Sequence, residues 1–147
     1  MTQLLLDLKP EQPPTLDNFV AGANGELISR LRGLTDRGSF DAVYLWGASG
    51  CGKSHLLAAT ITAARRPSLL LAAPDAGAEI AIVPGMLLAV DDVHGLGDAA
   101  QVALFRTFNA ARLAGLAILL AGREPPARLK LREDLRTRIG QTLVYEV

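Results

Sequence analysis

The sequence predicts an α/β fold: a five-stranded, mainly parallel sheet with helices on both faces. Three observations lead there. Short, continuous apolar runs alternate with helix-spaced segments, the pattern of strands buried on both faces. A glycine-rich turn of fixed spacing joins the first such run to a helix-prone stretch. The chain has 147 residues, 50% of them apolar, which supplies the core of one domain.

The elements follow in order. Residues 1–8 form an apolar-rich lead. Residues 9–14 read Lys9-Pro10-Glu11-Gln12-Pro13-Pro14; proline lacks an N–H and fixes φ, so this is an extended linker. Residues 15–147 are the folded domain. Asn24 to Leu34 carries Leu27, Ile28, Leu31 and Leu34 at helical spacing, with Asn24 as N-cap. Ala42–Trp46 is a strand, and Ser54–Arg65 a helix. Ser68–Ala73 and Met86–Val90 are two further strands. Asp98 to Leu113 reads as a helix, with Asp98 as cap, Gln101 three residues on, an apolar side built on Val102, Phe105 and Phe108 next to Asn109, and Gly115 as stop. Leu116–Ala121 is the fourth strand, Leu131–Thr137 a short polar helix, and Thr142–Val147 the fifth strand.

Charge is balanced overall, 15 basic against 15 acidic residues, which argues against a wholly basic nucleic-acid coat or an acidic tail. It is not balanced locally. Residues 67–105 carry five acidic and no basic groups, whereas residues 106–147 carry eight basic and four acidic ones. The single cysteine, Cys51, cannot form an internal disulfide, so a reducing cytoplasmic setting is expected. No apolar run approaches the ~20 residues of a membrane span. Met1 to Leu8 lacks the basic start and cleavage site of a signal peptide. His94 has no His/Cys companions at metal spacing and reads as a loop residue.

Two motifs carry chemistry. Gly47-Ala48-Ser49-Gly50-Cys51-Gly52-Lys53-Ser54, followed by His55, fits G-x-x-x-x-G-K-[ST] at every fixed position, between an apolar strand and a helix. The glycines let the backbone aim several N–H groups at phosphate oxygens, and the helix adds the positive end of its dipole. Lys53 suits the β- and γ-phosphates of a nucleotide, and the Ser54 hydroxyl suits Mg²⁺. A chance match in a chain of this length is on the order of one in a few hundred from average composition. The second motif is the apolar strand ending in Asp91-Asp92. Ligands of open α/β sheets sit at the carboxyl ends of strands. There Asp91 would help hold Mg²⁺, and Asp92 would polarise an attacking water. The bland alternative is a strand capped by solvated turn acids.

These residues resemble a known family. The phosphate loop, the Asp91-Asp92 pair and the run Ile118-Leu119-Leu120-Ala121-Gly122-Arg123-Glu124-Pro125-Pro126 look like the AAA+ domain of the DnaA replication initiators. They look most like its regulatory branch, the Hda family of DnaA inactivators. The resemblance covers essentially the whole chain and implies a three-layer P-loop NTPase fold. Thr15-Leu16-Asp17-Asn18-Phe19-Val20 is similar to the family's entry into the nucleotide domain, which implies adenine packing near Phe19 and Val20. Leu135-Arg136-Thr137-Arg138-Ile139 is similar to the arginine-finger segment, with Arg138 at the matching position. Gln3-Leu4-Leu5-Leu6-Asp7-Leu8 resembles the clamp-binding peptide of the Hda branch. An extended peptide of this kind places alternate leucines in apolar pockets, with Gln3, Leu4, Leu6 and Leu8 as contacts.

The resemblance therefore implies a nucleotide-bound adaptor, with ATP or ADP and Mg²⁺ as cofactors. It would bind the sliding clamp and supply Arg138 in trans to promote hydrolysis of DnaA-bound ATP, a negative regulation of initiation. Its own ATPase would be weak, self-association would be head-to-tail, and DNA contact indirect or weak. Three departures stand out. Arg123, with Glu124 beside it, occupies a sensor position normally held by a small polar or acidic residue. The segment Pro74 to Gly85 leaves room for little helix. The resemblance ends at Val147, before the family's helical lid, so the expectation is the α/β part of the module alone. Two other readings stay open: a DnaA-like initiator or helicase-loader ATPase acting on DNA, and a small-molecule kinase built on the same loop.

Overall fold

The computed structural model describes residues 25–36, 41–50, 52–73 and 76–147. Helix α1 (Gly25–Leu34) precedes strand β1 (Ala42–Trp46), helix α2 (Lys53–Ala63) and strands β2 (Ser68–Ala72) and β3 (Leu87–Asp91). Helix α3 (Asp98–Ala114), strand β4 (Ala117–Gly122), helix α4 (Glu133–Gly140) and strand β5 (Leu143–Glu146) complete the chain. The sheet runs β2-β3-β4-β1-β5 with every pairing parallel. Asn24 and the whole segment 1–23 lie outside the described residues.

Period-two alternation in the three central strands makes the three layers. Val43 and Leu45 of β1, Leu87 and Ala89 of β3, and Ala117, Leu119 and Ala121 of β4 face α1 and α2, against Leu27, Leu31, Leu56 and Leu57. Their neighbours Tyr44, Leu88, Val90, Ile118 and Leu120 face the other way, against Leu104 and Phe108 of α3 and Leu135 and Ile139 of α4. Each strand thus serves two cores, which is why these runs are apolar at every position.

At the lower, N-terminal edge of the sheet, Arg66 ties the layers together. It is 6% exposed. Its guanidinium donates to the carbonyls of Leu34 (3.2 Å) at the end of α1, Asp36 (2.8 Å) just beyond it, Gly85 (2.7 Å) before β3, and Gly115 (2.8 Å) after α3.

Some local expectations need correction. Gly97, not Asp98, caps α3, with no side-chain cap bond; Asp98 is the first helical residue, where its charge meets the positive helix end. Gln101 closes no capping box. Its amide donates to the Leu96 carbonyl (2.9 Å) and its carbonyl oxygen accepts from the Arg132 N–H (2.8 Å), tying α3 to the approach to α4. The buried stripe of α3 runs through Ala100, Leu104 and Phe108, so Val102 and Phe105 are half-buried and Asn109 is exposed. Helix α4 begins at Glu133 rather than Leu131, because Glu133 and Asp134 favour a helix N-terminus while Leu131 packs into the core ahead of it. Gly115, in the left-handed region at φ 69°, ends α3 as expected.

Between β2 and β3 no α-helix occurs among the described residues. Edge strand β2 is consequently thinly covered, with Leu70 42% exposed.

Candidate functional site

Strand β1, paired on both sides, delivers the chain to the upper edge of the sheet. The Gly47 N–H donates to the Gly122 carbonyl (3.2 Å), prolonging the β1–β4 ladder by one step before the chain turns. Gly50 (φ 83°) and Gly52 (φ 103°) then adopt left-handed conformations that would strain any residue with a Cβ. Gly52 caps α2, whose first bond runs from the Leu56 N–H to the Gly52 carbonyl (3.0 Å). The N–H groups of the first turn have no acceptor inside the helix. Lys53 is 6% exposed, and its Nζ donates to the carbonyls of Gly47 (2.7 Å) and Ala48 (2.9 Å). The ammonium is therefore held inside the curl of the loop.

Strand β3 brings the two carboxylates alongside. The Ser54 hydroxyl donates to Asp91 Oδ2 at 2.6 Å, and Asp91 Oδ1 accepts from the Asp92 N–H at 2.9 Å. Asp92 has φ 54°, the one positive value at a non-glycine among the described residues. This left-handed step, which aspartate tolerates better than most residues, ends the strand and starts a short 3-10 turn over Val93–Gly95. Ser49, Gly50, Gly52, Lys53, Ser54, His55, Asp92 and Arg123 together line a cleft of about 400 Å³. Ser54 and Asp91 are hard oxygen donors of the kind Mg²⁺ takes together with phosphate oxygens. Among the described residues no cluster of three or more His, Cys, Asp or Glu offers a protein-only metal cage.

Arg123 does reach the cleft. It does not pair with Glu124; the Glu124 backbone carbonyl instead accepts the Tyr44 hydroxyl at 2.6 Å. Burial, reinforced by the charge of Glu124, pushes the Tyr44 phenol well above its usual range, so it stays a donor. A Cβ at Gly122 would collide with that hydroxyl and come within 3.1 Å of Val93. The buried Tyr44, Gly122 and the Glu124 carbonyl thus hold the turn that presents Arg123. The sequence reading missed this support; its only sign was a tyrosine inside an otherwise aliphatic run.

No protein-family model matches the chain. In sequence it is 33% identical over 134 residues to the chromosomal replication initiator protein DnaA 2 of Protochlamydia amoebophila, covering 78% of this chain and 28% of that protein. The chain spans less than a third of the length of the curated DnaA relatives it matches. In structure it superimposes on AMPPCP-bound DnaA from Aquifex aeolicus with a TM-score of 0.76 at 22% identity, over 93% of this chain and 50% of that one. A RuvB chain from Thermotoga maritima gives a TM-score of 0.69 at 21% identity, over 92% of this chain and 48% of that one. The fold is that of a DnaA-like AAA+ domain.

In this fold the basic end of the chain sits away from the cleft. Arg138, on α4, donates to Asn109 Oδ1 (2.6 Å) and the Phe108 carbonyl (3.3 Å), and lies over the rings of Phe108 (5.6 Å) and Phe105 (6.0 Å). It borders a cleft of about 380 Å³ next to Asp41 and Ala42, at the start of β1, and Thr142 and Leu143, at the start of β5. The phosphate loop follows the other end of β1. A five-residue strand spans roughly 16 Å at about 3.3 Å per residue, so Arg138 and the loop of the same chain occupy opposite edges of the sheet. His94 Nε2 lies 3.9 Å from Asp92 Oδ1. Gln3, Leu4, Leu6, Leu8, Phe19, Val20 and Cys51 lie outside the described residues, as does the proline linker. No helix among the described residues is long and apolar enough to cross a membrane.

Proposed function

We propose that this chain is a nucleotide-bound AAA+ adaptor of replication initiation, which promotes hydrolysis of ATP on a DnaA partner while tethered to the sliding clamp. The observation that carries the reading is the separation of Arg138 from the chain's own phosphate loop. An arginine at the far edge of the sheet is out of reach of the chain's own phosphate loop, which supports a role toward a nucleotide held by another molecule.

The loop N–H groups of residues 47–54 and the first turn of α2 bind the phosphates of ATP or ADP. Lys53 exchanges the Gly47 and Ala48 carbonyls for phosphate oxygens, so that its ammonium bonds anionic acceptors in place of neutral ones. Ser54 and Asp91 would hold Mg²⁺, which supplies charge neutralisation at the phosphates. Asp92 would orient a water at the rim of the cleft. Arg138 leaves Asn109 and offers its planar guanidinium to charge developing on the partner's phosphoryl group. Residues 3–8 dock in the clamp, and residues 9–14 set the reach of the tether.

A second reading, a DnaA-like ATPase acting directly on DNA, draws on a solved DnaA of the same fold bound to AMPPCP and single-stranded DNA, 23% identical with a TM-score of 0.76. The two separate in one experiment. Clamp-loaded DNA is incubated with the chain, and clamp retention and hydrolysis of DnaA-bound ATP are both measured. The adaptor reading expects retention that Gln3→Ala abolishes and hydrolysis that requires the clamp. Turnover by the chain alone that rises with DNA, without clamp retention, supports the second reading instead.

A further inference from the structure

Beside the nucleotide cleft lies a second one of about 500 Å³, lined by His94, Arg123, Glu124, Arg128, Leu129 and Lys130. Its charge is uncompensated. The side chains of Arg123, Arg128 and Lys130 are exposed and have no hydrogen-bond or ion-pair partner among the described residues. Arg30 and Arg132, by contrast, have carboxylate partners: Arg30 pairs with Asp41 at 3.3 Å and Arg132 with Asp134 at 3.4 Å. Three cations facing one carboxylate repel one another, and an anionic partner relieves that repulsion. The floor is aliphatic, with Leu129 only 2% exposed. The one aromatic ring among the lining residues is the His94 imidazole, whose side chain is 29% exposed, a small stacking platform for a nucleobase. An aliphatic side chain flanked by carboxylates fits both floor and rim.

The two clefts share a wall. Arg123 lines both. Asp92, on the nucleotide side, lies 3.9 Å from His94 Nε2, on the other side. The His94 Nδ1 atom is buried without a hydrogen-bond partner. We infer that this second cleft docks an acidic, leucine-bearing segment of a partner protein, and that its occupancy is coupled to the nucleotide cleft through Arg123 and the Asp92–His94 contact. An acidic segment that engages Arg123 withdraws its charge from the nucleotide side. By linkage, nucleotide then changes the affinity for the segment by the same factor. The coupling rests on the nucleotide reading above; the docking does not.

The probe is a short fluorescein-labelled peptide of alternating glutamate and leucine, titrated by anisotropy into the full chain. A lysine–leucine peptide and an unlabelled single-stranded oligonucleotide serve as controls. The glutamate peptide binds, the lysine peptide does not, and the oligonucleotide fails to compete. Arg128→Glu with Lys130→Glu weakens binding by about tenfold or more at unchanged melting temperature, since both positions are exposed. Saturating ADP shifts the peptide Kd by about twofold or more, and Arg123→Ala removes that shift. Equal binding by wild type and the double variant overturns the docking, as does competition by the oligonucleotide. Peptide binding indifferent to ADP, in a sample shown to bind ADP, overturns the coupling alone. A chain that binds peptide but no ADP sinks the nucleotide reading and the coupling with it, and leaves the docking standing.

Discussion

The two edges of the parallel sheet are built on opposite rules. At the lower edge, carbonyls that close α1 and α3 and precede β3 converge on the buried Arg66, which donates to four of them at 2.7–3.2 Å. Burial lowers the guanidinium pKa below its usual value, yet arginine remains charged in proteins. At the upper edge, three left-handed residues, Gly50, Gly52 and Asp92, bend the backbone so that polar groups point into a cleft. One edge satisfies its polar groups internally and holds the layers together. The other leaves donors directed outward, where a phosphate can take them. Stability and binding are thereby separated along one set of strands.

Breaking the lower edge has the largest effect on the fold. Arg66→Met leaves several buried carbonyls without their donor and is expected to cost about 3 kcal/mol or more, read by urea unfolding. A loss below about 1 kcal/mol would mean that Arg66 is no more than a surface contact. Breaking the upper edge has its effect on binding. Lys53→Ala is expected to weaken ADP binding by about a hundredfold, or roughly 2.7 kcal/mol, in a calorimetric titration, with a smaller change in unfolding than Arg66→Met produces. Gly52→Ala forces a Cβ into φ 103° and should cost about 1–2 kcal/mol of stability, together with a weaker nucleotide site.

The smallest effect concerns Tyr44, whose hydroxyl supports the turn after β4. Tyr44→Phe removes the bond to the Glu124 carbonyl and should cost about 1 kcal/mol. The pH dependence sharpens this case. The folded phenol titrates above the ordinary value of 10.0, so the unfolded chain releases its proton first. The contribution is therefore complete below that pH and declines as pH rises beyond it. Unfolding followed from neutral to alkaline pH should show a steeper loss for wild type than for Tyr44→Phe.

The upper edge was more legible in the sequence than the lower. Gly47 to Ser54 and Asp91-Asp92 declare themselves through fixed spacing at strand ends, and the fold gathers Ser49, Gly50, Gly52, Lys53, Ser54 and Asp92 around one cleft, with Asp91 bonded to Ser54. The strand runs of β1, β3 and β4 were equally plain, because burial on both faces makes every position apolar. Arg66 gave no sign, since its partners are four backbone carbonyls from three distant segments, which leave no side-chain pattern. Tyr44 and Gly122 were silent for a related reason: their pairing is a contact across β1 and β4, invisible to local periodicity. The start of α4 slipped because Leu131 has the spacing of a helical core residue, while the acidic Glu133-Asp134 pair marks the true first turn.

The central claim is that the chain binds nucleotide with one edge of its sheet and serves a partner's nucleotide with the other. It is tested most directly by measuring ADP affinity and stimulation of DnaA-bound ATP hydrolysis on the same preparation of Arg138→Ala. The account predicts ADP affinity equal to wild type and stimulation reduced by about a thousandfold, the lower end for an arginine acting in trans. Retained stimulation, or an ADP affinity that falls as far as in Lys53→Ala, would contradict it.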